Sequence, residues 1–178
     1  MINIYYSNDK KDRSDSYVFL RQTLCGYCGV DGNFRLMRTK KGKPYIEDYH
    51  DIHFSITHTG SLWMCAVSDA EIGIDAEYAD RRIFREEKIT ERFFSEEERR
   101  YIGEGDIRHR FLEIWTRKEA YLKLRGDGIF NGMEKLCTLT DSNVSFIQHE
   151  IDPAGKRAIF AVCSYNADMS YELTEIEL

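Results

Sequence analysis

A chain of 178 residues, 42% hydrophobic and 13% aromatic, is long enough to bury one sizeable core or two small halves sharing an interface, and its composition excludes a disordered protein. A net charge of −6 argues against general binding to nucleic acid or to an anionic membrane, although Arg35, Arg38, Lys40, Lys41 and Lys43 crowd positive charge into one stretch. No basic and apolar leader opens the chain and no run approaches the roughly twenty apolar residues of a membrane span, so a cytoplasmic protein is expected.

In chain order, Ile2 to Tyr6 alternates as a strand, and Tyr17, Leu20, Leu24 and Tyr27 recur at helical spacing, with Ser14 as cap and Gly29 as stop. A short strand is expected over Phe34 to Met37, then a basic loop from Thr39 to Tyr45 in which Gly42 and Pro44 favour a turn. Ile52 to Thr57, Leu62 to Val67 and Ile72 to Ala76 read as three further strands. Tyr78 to Arg92 is highly charged with few apolar residues and reads as a loop or a partner-facing surface. Ser95 with Glu98 makes a capping box that opens a helix through Ile102, and the main helix covers Phe111 to Leu124 and stops at Gly126-Asp127-Gly128. Val144 to Ile151, Arg157 to Ser164 and Tyr171 to Glu177 are strands separated by turn signals, the second at Asn166-Ala167-Asp168. The class is α+β, with two halves, 1–77 and 78–178. The five cysteines are scattered and odd in number; they read as reduced thiols, Cys25 and Cys28 lying on one face of the first helix.

Two places carry chemistry. On a strand, Asp75 and Glu77 point to the same face, and two such carboxylates repel by roughly 4 kcal/mol at about 4 Å in an effective dielectric near 20. Either they face water at a strand end, or a cation sits there, and a pair of acids is half of a Mg²⁺ site. On the main helix, Lys118 falls between Ile114 and Leu122, and Glu119 between Trp115 and Leu112, so both charges aim at the packed side, where an unpaired charge is costly. Lys118 and Glu119 are adjacent and do not face each other. Glu119 facing Asp75 and Glu77 would complete a metal site, with Lys118 and Lys123 beside it for a phosphorylated ligand. Thr57, His58, Thr59 and Gly60 suit phosphate oxygens, or form an ordinary polar hairpin loop.

Gly42-Lys43-Pro44-Tyr45, Phe54-Ser55-Ile56-Thr57-His58-Thr59-Gly60, Gly73-Ile74-Asp75-Ala76-Glu77, Phe93-Phe94-Ser95 with Glu98, and Trp115 with Lys118-Glu119 and Lys123 before Gly126-Asp127-Gly128 occur in one order. Together they resemble the 4′-phosphopantetheinyl transferases of the surfactin-synthetase-activating type, from about Arg35 to Ile129. The resemblance implies a pseudo-twofold duplication of an α+β unit with the site between the halves. It implies transfer of the phosphopantetheine arm of coenzyme A to a serine of an apo acyl or peptidyl carrier protein, dependent on Mg²⁺, with release of adenosine 3′,5′-bisphosphate. Asp75, Glu77 and Glu119 then correspond to the metal carboxylates, Lys123, Thr57 and His58 to the pyrophosphate contacts, and Lys43 to a contact near the adenosine end. Glu119 corresponds to the group that helps deprotonate the carrier serine, Lys118 to an active-site lysine and Glu98 to a helper. Arg13 stands nearest to an arginine that the family places ahead of its first helix. The competing readings are a catalytically idle module that binds coenzyme A or a carrier protein, and another Mg²⁺-dependent phosphotransferase.

Overall fold

The structure, a computed structural model, describes residues 1–12, 15–126, 132–167 and 169–177. One supersecondary design occurs twice in it. In the first copy, β1 (Ile2–Ser7) leads into α1 (Asp15–Tyr27), and the hairpin of β4 (His53–Thr59) and β5 (Leu62–Ser68) returns so that β5 pairs antiparallel with β1. In the second, β6 (Ile72–Tyr78) is followed by helices and then by the hairpin of β7 (Ser145–Ile151) and β8 (Ala158–Ser164), with β8 antiparallel to β6. The strand orders β4-β5-β1 and β7-β8-β6 therefore match, and β9 (Tyr171–Glu175) joins the first sheet parallel to β1.

The alternation in these strands dictates how the halves meet. Ile4, Leu62 and Met64 of the first sheet share one buried cluster with Ile72, Ile74, Phe160 and Val162 of the second. The other face of the first sheet takes Leu20 and Leu24 of α1 against Trp63 and Cys65. The other face of the second takes α4 (Ile107–Arg125), whose Ala120 and Leu124 pack on Ala161 and Cys163. Gly73 lets α4 come this close, since a Cβ there would lie 2.0 Å from the Ala120 carbonyl oxygen and 2.6 Å from the Leu124 nitrogen.

Several expectations need correction. A boundary after residue 77 would leave β6 in the first half, whereas its hydrogen-bonded neighbour is β8, so the sheets divide ahead of Ile72. The basic stretch is a hairpin, not a plain loop: β2 (Leu36–Arg38) pairs with β3 (Pro44–Ile46), and Pro44 sits at the end of the ladder, where its missing N–H matters least. Residues 78–92 contain a helix, α2 (Glu86–Phe93), which fully buries none of its side chains and so leaves no strong apolar period to read. α4 begins four residues earlier than expected, at an Asp106 cap, and buries Thr116 and Ala120 as well as the apolar arc. The Ser95 and Glu98 capping box opens α3 (Glu96–Gly103) as anticipated. Arg13, the Ser14 cap, Asp127-Gly128 of the helix stop and Asp168 lie outside the described residues; Gly126 ends α4 in the left-handed conformation, φ 67°. All five cysteines are free thiols. No helix among the described residues is long and apolar enough to cross a membrane.

Candidate active site

The period of two that puts Asp75 and Glu77 on one face of β6 is matched on β4 by Thr57 and Thr59. Asp75 Oδ1 accepts hydrogen bonds from Thr57 Oγ1 at 2.9 Å and from Lys123 Nζ at 2.8 Å, and Glu77 Oε2 accepts from Thr59 Oγ1 at 2.8 Å. Both acids are buried, so they do not face water at a strand end. The Arg81 guanidinium, just past the end of β6, closes on Glu77 as an ion pair. Burial and the neighbouring Asp75 push the Glu77 carboxyl above its ordinary range, against Arg81 and Thr59, which pull it down. Asp75 Oδ2 is buried without a partner among the described residues. Thr59, read from the sequence as a phosphate contact or a hairpin residue, bonds Glu77 instead, and Arg81 was not singled out from the sequence.

Helix α4 brings Glu119 and, one turn on, Lys123 to the same place. A cleft of about 620 Å³ is lined by Thr57, His58, Asp75, Glu77, Glu119 and Lys123, among others. A second cleft of about 310 Å³ shares Ile56, Glu119 and Lys123 with it and runs to Lys41 and Lys43. Burial first and the Asp75 charge second push the Glu119 carboxyl up to about 7; Lys123 opposes the shift. Lys43 lines the second cleft, and its amine holds the C-terminal end of α4 through the Leu124 carbonyl at 2.9 Å and pairs with Glu71. His58 is exposed at the rim.

Comparison with known proteins places the chain in a family. The family model described as the 4′-phosphopantetheinyl transferase superfamily matches residues 71–174, a span that includes Asp75, Glu77, Glu119 and Lys123. The chain belongs to the 4′-phosphopantetheinyl transferase superfamily. Among its relatives, the 4′-phosphopantetheinyl transferase Sfp of Bacillus subtilis is 30% identical over 97% of this chain and 82% of that protein. The transferase HetI of Nostoc sp. is 32% identical over 81% of this chain, and the transferase gsp of Aneurinibacillus migulanus 35% identical over 55%. The chain spans 64% and 40% of the lengths of those last two relatives.

Two residues expected at the chemistry stand away from the two clefts. Lys118 and Glu98 are both fully buried, 0% exposed, and line neither cleft. Lys118 Nζ donates to the Met133 and Leu136 carbonyls at 3.0 and 2.6 Å and pairs with Glu98 Oε2 at 2.9 Å. Glu98 Oε1 takes the Thr138 N–H at 2.7 Å and its hydroxyl at 2.9 Å, while Oε2 takes the Ser95 N–H at 2.8 Å. Every polar atom of the pair is thereby engaged in holding α3, α4 and residues 133–138 together. Helical position aims Lys118 inward, as the structure has it, and there it meets Glu98.

The residues present fit a hard divalent cation in chemistry though not yet in closure. Among the described residues no three carboxylate, imidazole or thiol groups gather as a ready-made metal site. The lining nevertheless offers three carboxylates, one of them with an orphaned buried oxygen, and the cations Lys123 and Arg81 already sit on Asp75 and Glu77. An all-oxygen donor set with room for waters and ligand phosphates is what Mg²⁺ takes.

Proposed function

We propose that this protein transfers the 4′-phosphopantetheine moiety of coenzyme A to a serine of an apo acyl or peptidyl carrier protein, with adenosine 3′,5′-bisphosphate as the leaving product. The observation that carries this reading is the convergence of Asp75, Glu77, Glu119 and Lys123 on one cleft that continues into a second, lysine-bordered one. Phosphoryl transfer asks a protein mainly for positioning and charge neutralisation, and this is equipment for both.

In this reading Asp75, Glu77 and Glu119 hold Mg²⁺, which when bound neutralises the pyrophosphate of coenzyme A. Lys123 turns its ammonium toward the same phosphates, with Thr57 and His58 at the adjoining end of β4, and Lys43 borders the adenosine end. The serine oxygen forms its bond to the phosphorus that carries the pantetheine arm, and the bond from that phosphorus to the bisphosphate oxygen breaks. Glu119, which faces this cleft, is the group that takes the serine proton. Lys118 and Glu98 position the helix that carries Glu119. The carrier docks along residues 78–92, where Phe84 stands 79% exposed.

The test is incubation with coenzyme A, Mg²⁺ and each of a panel of apo carrier proteins, followed by intact-mass measurement. The expected result is the gain of one phosphopantetheine on a carrier serine. Binding of coenzyme A or carrier without any gain in mass favours the idle module, and turnover of a phosphoester without carrier favours a different phosphotransferase.

A further inference from the structure

Two cations already neutralise the acids of β6, and they are held in different ways. Lys123 reaches Asp75 Oδ1 at 2.8 Å from α4, across the cleft. Arg81 comes from the chain just past β6 itself, four residues after Glu77, and its Nη1 pairs with Glu77 Oε2. Glu77 is buried and further held by the Thr59 hydroxyl at 2.8 Å, whereas the Arg81 side chain is 48% exposed. The acid end of this pair is therefore fixed, and the cation end, half in water, is held loosely enough to leave. Arg81 also has a place to go. It lines both the carboxylate cleft and a neighbouring hollow of about 470 Å³ whose walls include Tyr78, Asp80 and Lys156. There Asp80 offers a second carboxylate, with Lys156 standing 3.6 Å from it.

With Lys123 on Asp75 and Arg81 on Glu77, the β6 acids are matched one for one. A divalent ion entering alone must break a pair and leave a guanidinium beside a new double charge. An ion that arrives with a phosphate-bearing ligand brings the anion that the displaced cations need. A guanidinium keeps its charge at neutral pH, so Glu77 is never freed by loss of a proton from its partner. We propose that Arg81 is a tethered counter-ion that holds the cation position at Glu77 and yields it to a divalent ion accompanied by coenzyme A, so that ion and coenzyme bind with positive coupling through this side chain. By linkage, the ion then tightens coenzyme A by the factor by which coenzyme A tightens the ion. The proposal rests on the transferase reading, which puts both ligands in this cleft, and adds to it what keeps the acid pair from loading an ion alone.

The test is titration of Mn²⁺ into the full chain, followed by electron paramagnetic resonance, with and without saturating coenzyme A. It compares wild type, Arg81→Gln and, as a control for charge alone, Arg82→Gln. The expected result is that coenzyme A tightens Mn²⁺ binding to the wild type at least about fivefold more than to Arg81→Gln, because the variant binds the ion better alone and no better with the coenzyme. Arg82→Gln should keep the wild-type coupling. Equal coupling in wild type and Arg81→Gln overturns the proposal, even where both affinities of the variant rise, since Arg81 would then act as a fixed repulsion. Loss of coupling in Arg82→Gln as large as in Arg81→Gln overturns it too. Arg81→Gln leaves Glu77 buried without its cation, so a second measurement uses the wild type. Its Arg81 Nε–Hε nuclear magnetic resonance signal, assigned through Arg81→Lys, should shift with Mg²⁺ and coenzyme A together and hold its place with the same Mg²⁺ alone. A signal fixed under both conditions, or one that moves as far with Mg²⁺ alone, overturns the proposal. A wild type that binds no coenzyme A, or no Mn²⁺ beside it, would be the failure of the transferase reading itself, visible before a variant is made, and would remove the proposal with it.

Discussion

Replacing Gly73 by alanine adds one methyl group at the point where α4 lies on β6. Its Cβ would stand 2.0 Å from the Ala120 carbonyl oxygen and 2.6 Å from the Leu124 nitrogen, and ordinary contact begins at 3.4 Å. Both obstacles are backbone atoms of a helix and cannot rotate away. The helix must therefore retreat by about 1.4 Å, the difference between 3.4 and 2.0 Å. Overpacking of this kind costs about 1–3 kcal/mol, which lowers the melting temperature by about 2–4 °C per kcal/mol in a domain of this size. Glu119 and Lys123 ride on the displaced turns, so the Lys123 to Asp75 contact, now 2.8 Å, would open beyond hydrogen-bonding reach. A misplacement of about 1 Å at a phosphoryl-transfer site costs on the order of 100-fold in rate. Thermal unfolding and the carrier mass assay, run on the same preparation, measure both effects. A Gly73→Ala protein with wild-type melting and wild-type transfer would refute the close approach and the coupling it is said to impose.

Other expectations follow from the same geometry. Asp75→Asn should keep the fold, since asparagine can still bond Thr57, yet lower transfer by about 10²–10³-fold in the mass assay. Lys118→Met should destabilise by about 3–5 kcal/mol in denaturant titration, because Glu98 is left charged and buried; Lys118→Met with Glu98→Gln should recover part of that loss. In the presence of a chelator, the raised Glu119 carboxyl makes folding protonation-dependent. The folded group titrates near 7 and the unfolded one near 4.5, so its contribution is fully present below 4.5 and is lost as pH rises to 7. Wild type should therefore lose stability relative to Glu119→Gln across that window, by an amount on the order of 3 kcal/mol, read from unfolding curves at pH 4.5 and 7.5. Arg81→Gln should tighten binding of Mn²⁺, followed by its electron paramagnetic resonance signal, several-fold, because it frees Glu77, whereas Arg82→Gln should not.

Local signals were readable in the sequence and partners were not. The Ser95 and Glu98 capping box depends on residues three apart, and the structure shows it as expected. Helical position likewise aimed Lys118 and Glu119 inward, but position gives a direction and not the group met there. Lys118 met Glu98, whose other contacts come from residue 138, and that contact is set by chain folding and not by spacing. Thr59 was read toward phosphate because its partner Glu77 is met only once β4 lies beside β6, and Arg81, four residues past Glu77, was lost in a run of charges. Helix α2 was missed because it buries no complete side chain, and the division of the sheets because β6 and β8 pair residues that lie 80 to 92 apart in the chain. Gly73 belonged to a quoted motif, yet its reason, the nearness of the α4 backbone, is tertiary.

The most direct measurement is a crystal structure of the full chain with coenzyme A and Mn²⁺, with the ion located by anomalous scattering. The expected result is a single peak at coordination distance, about 2.1 Å, from carboxylate oxygens of Asp75, Glu77 and Glu119, with Arg81 and Lys123 turned away from the acids they now pair with. A peak bound elsewhere, or Glu119 directed away from an ion held by the β6 acids alone, would contradict the convergence of strand and helix on one cation.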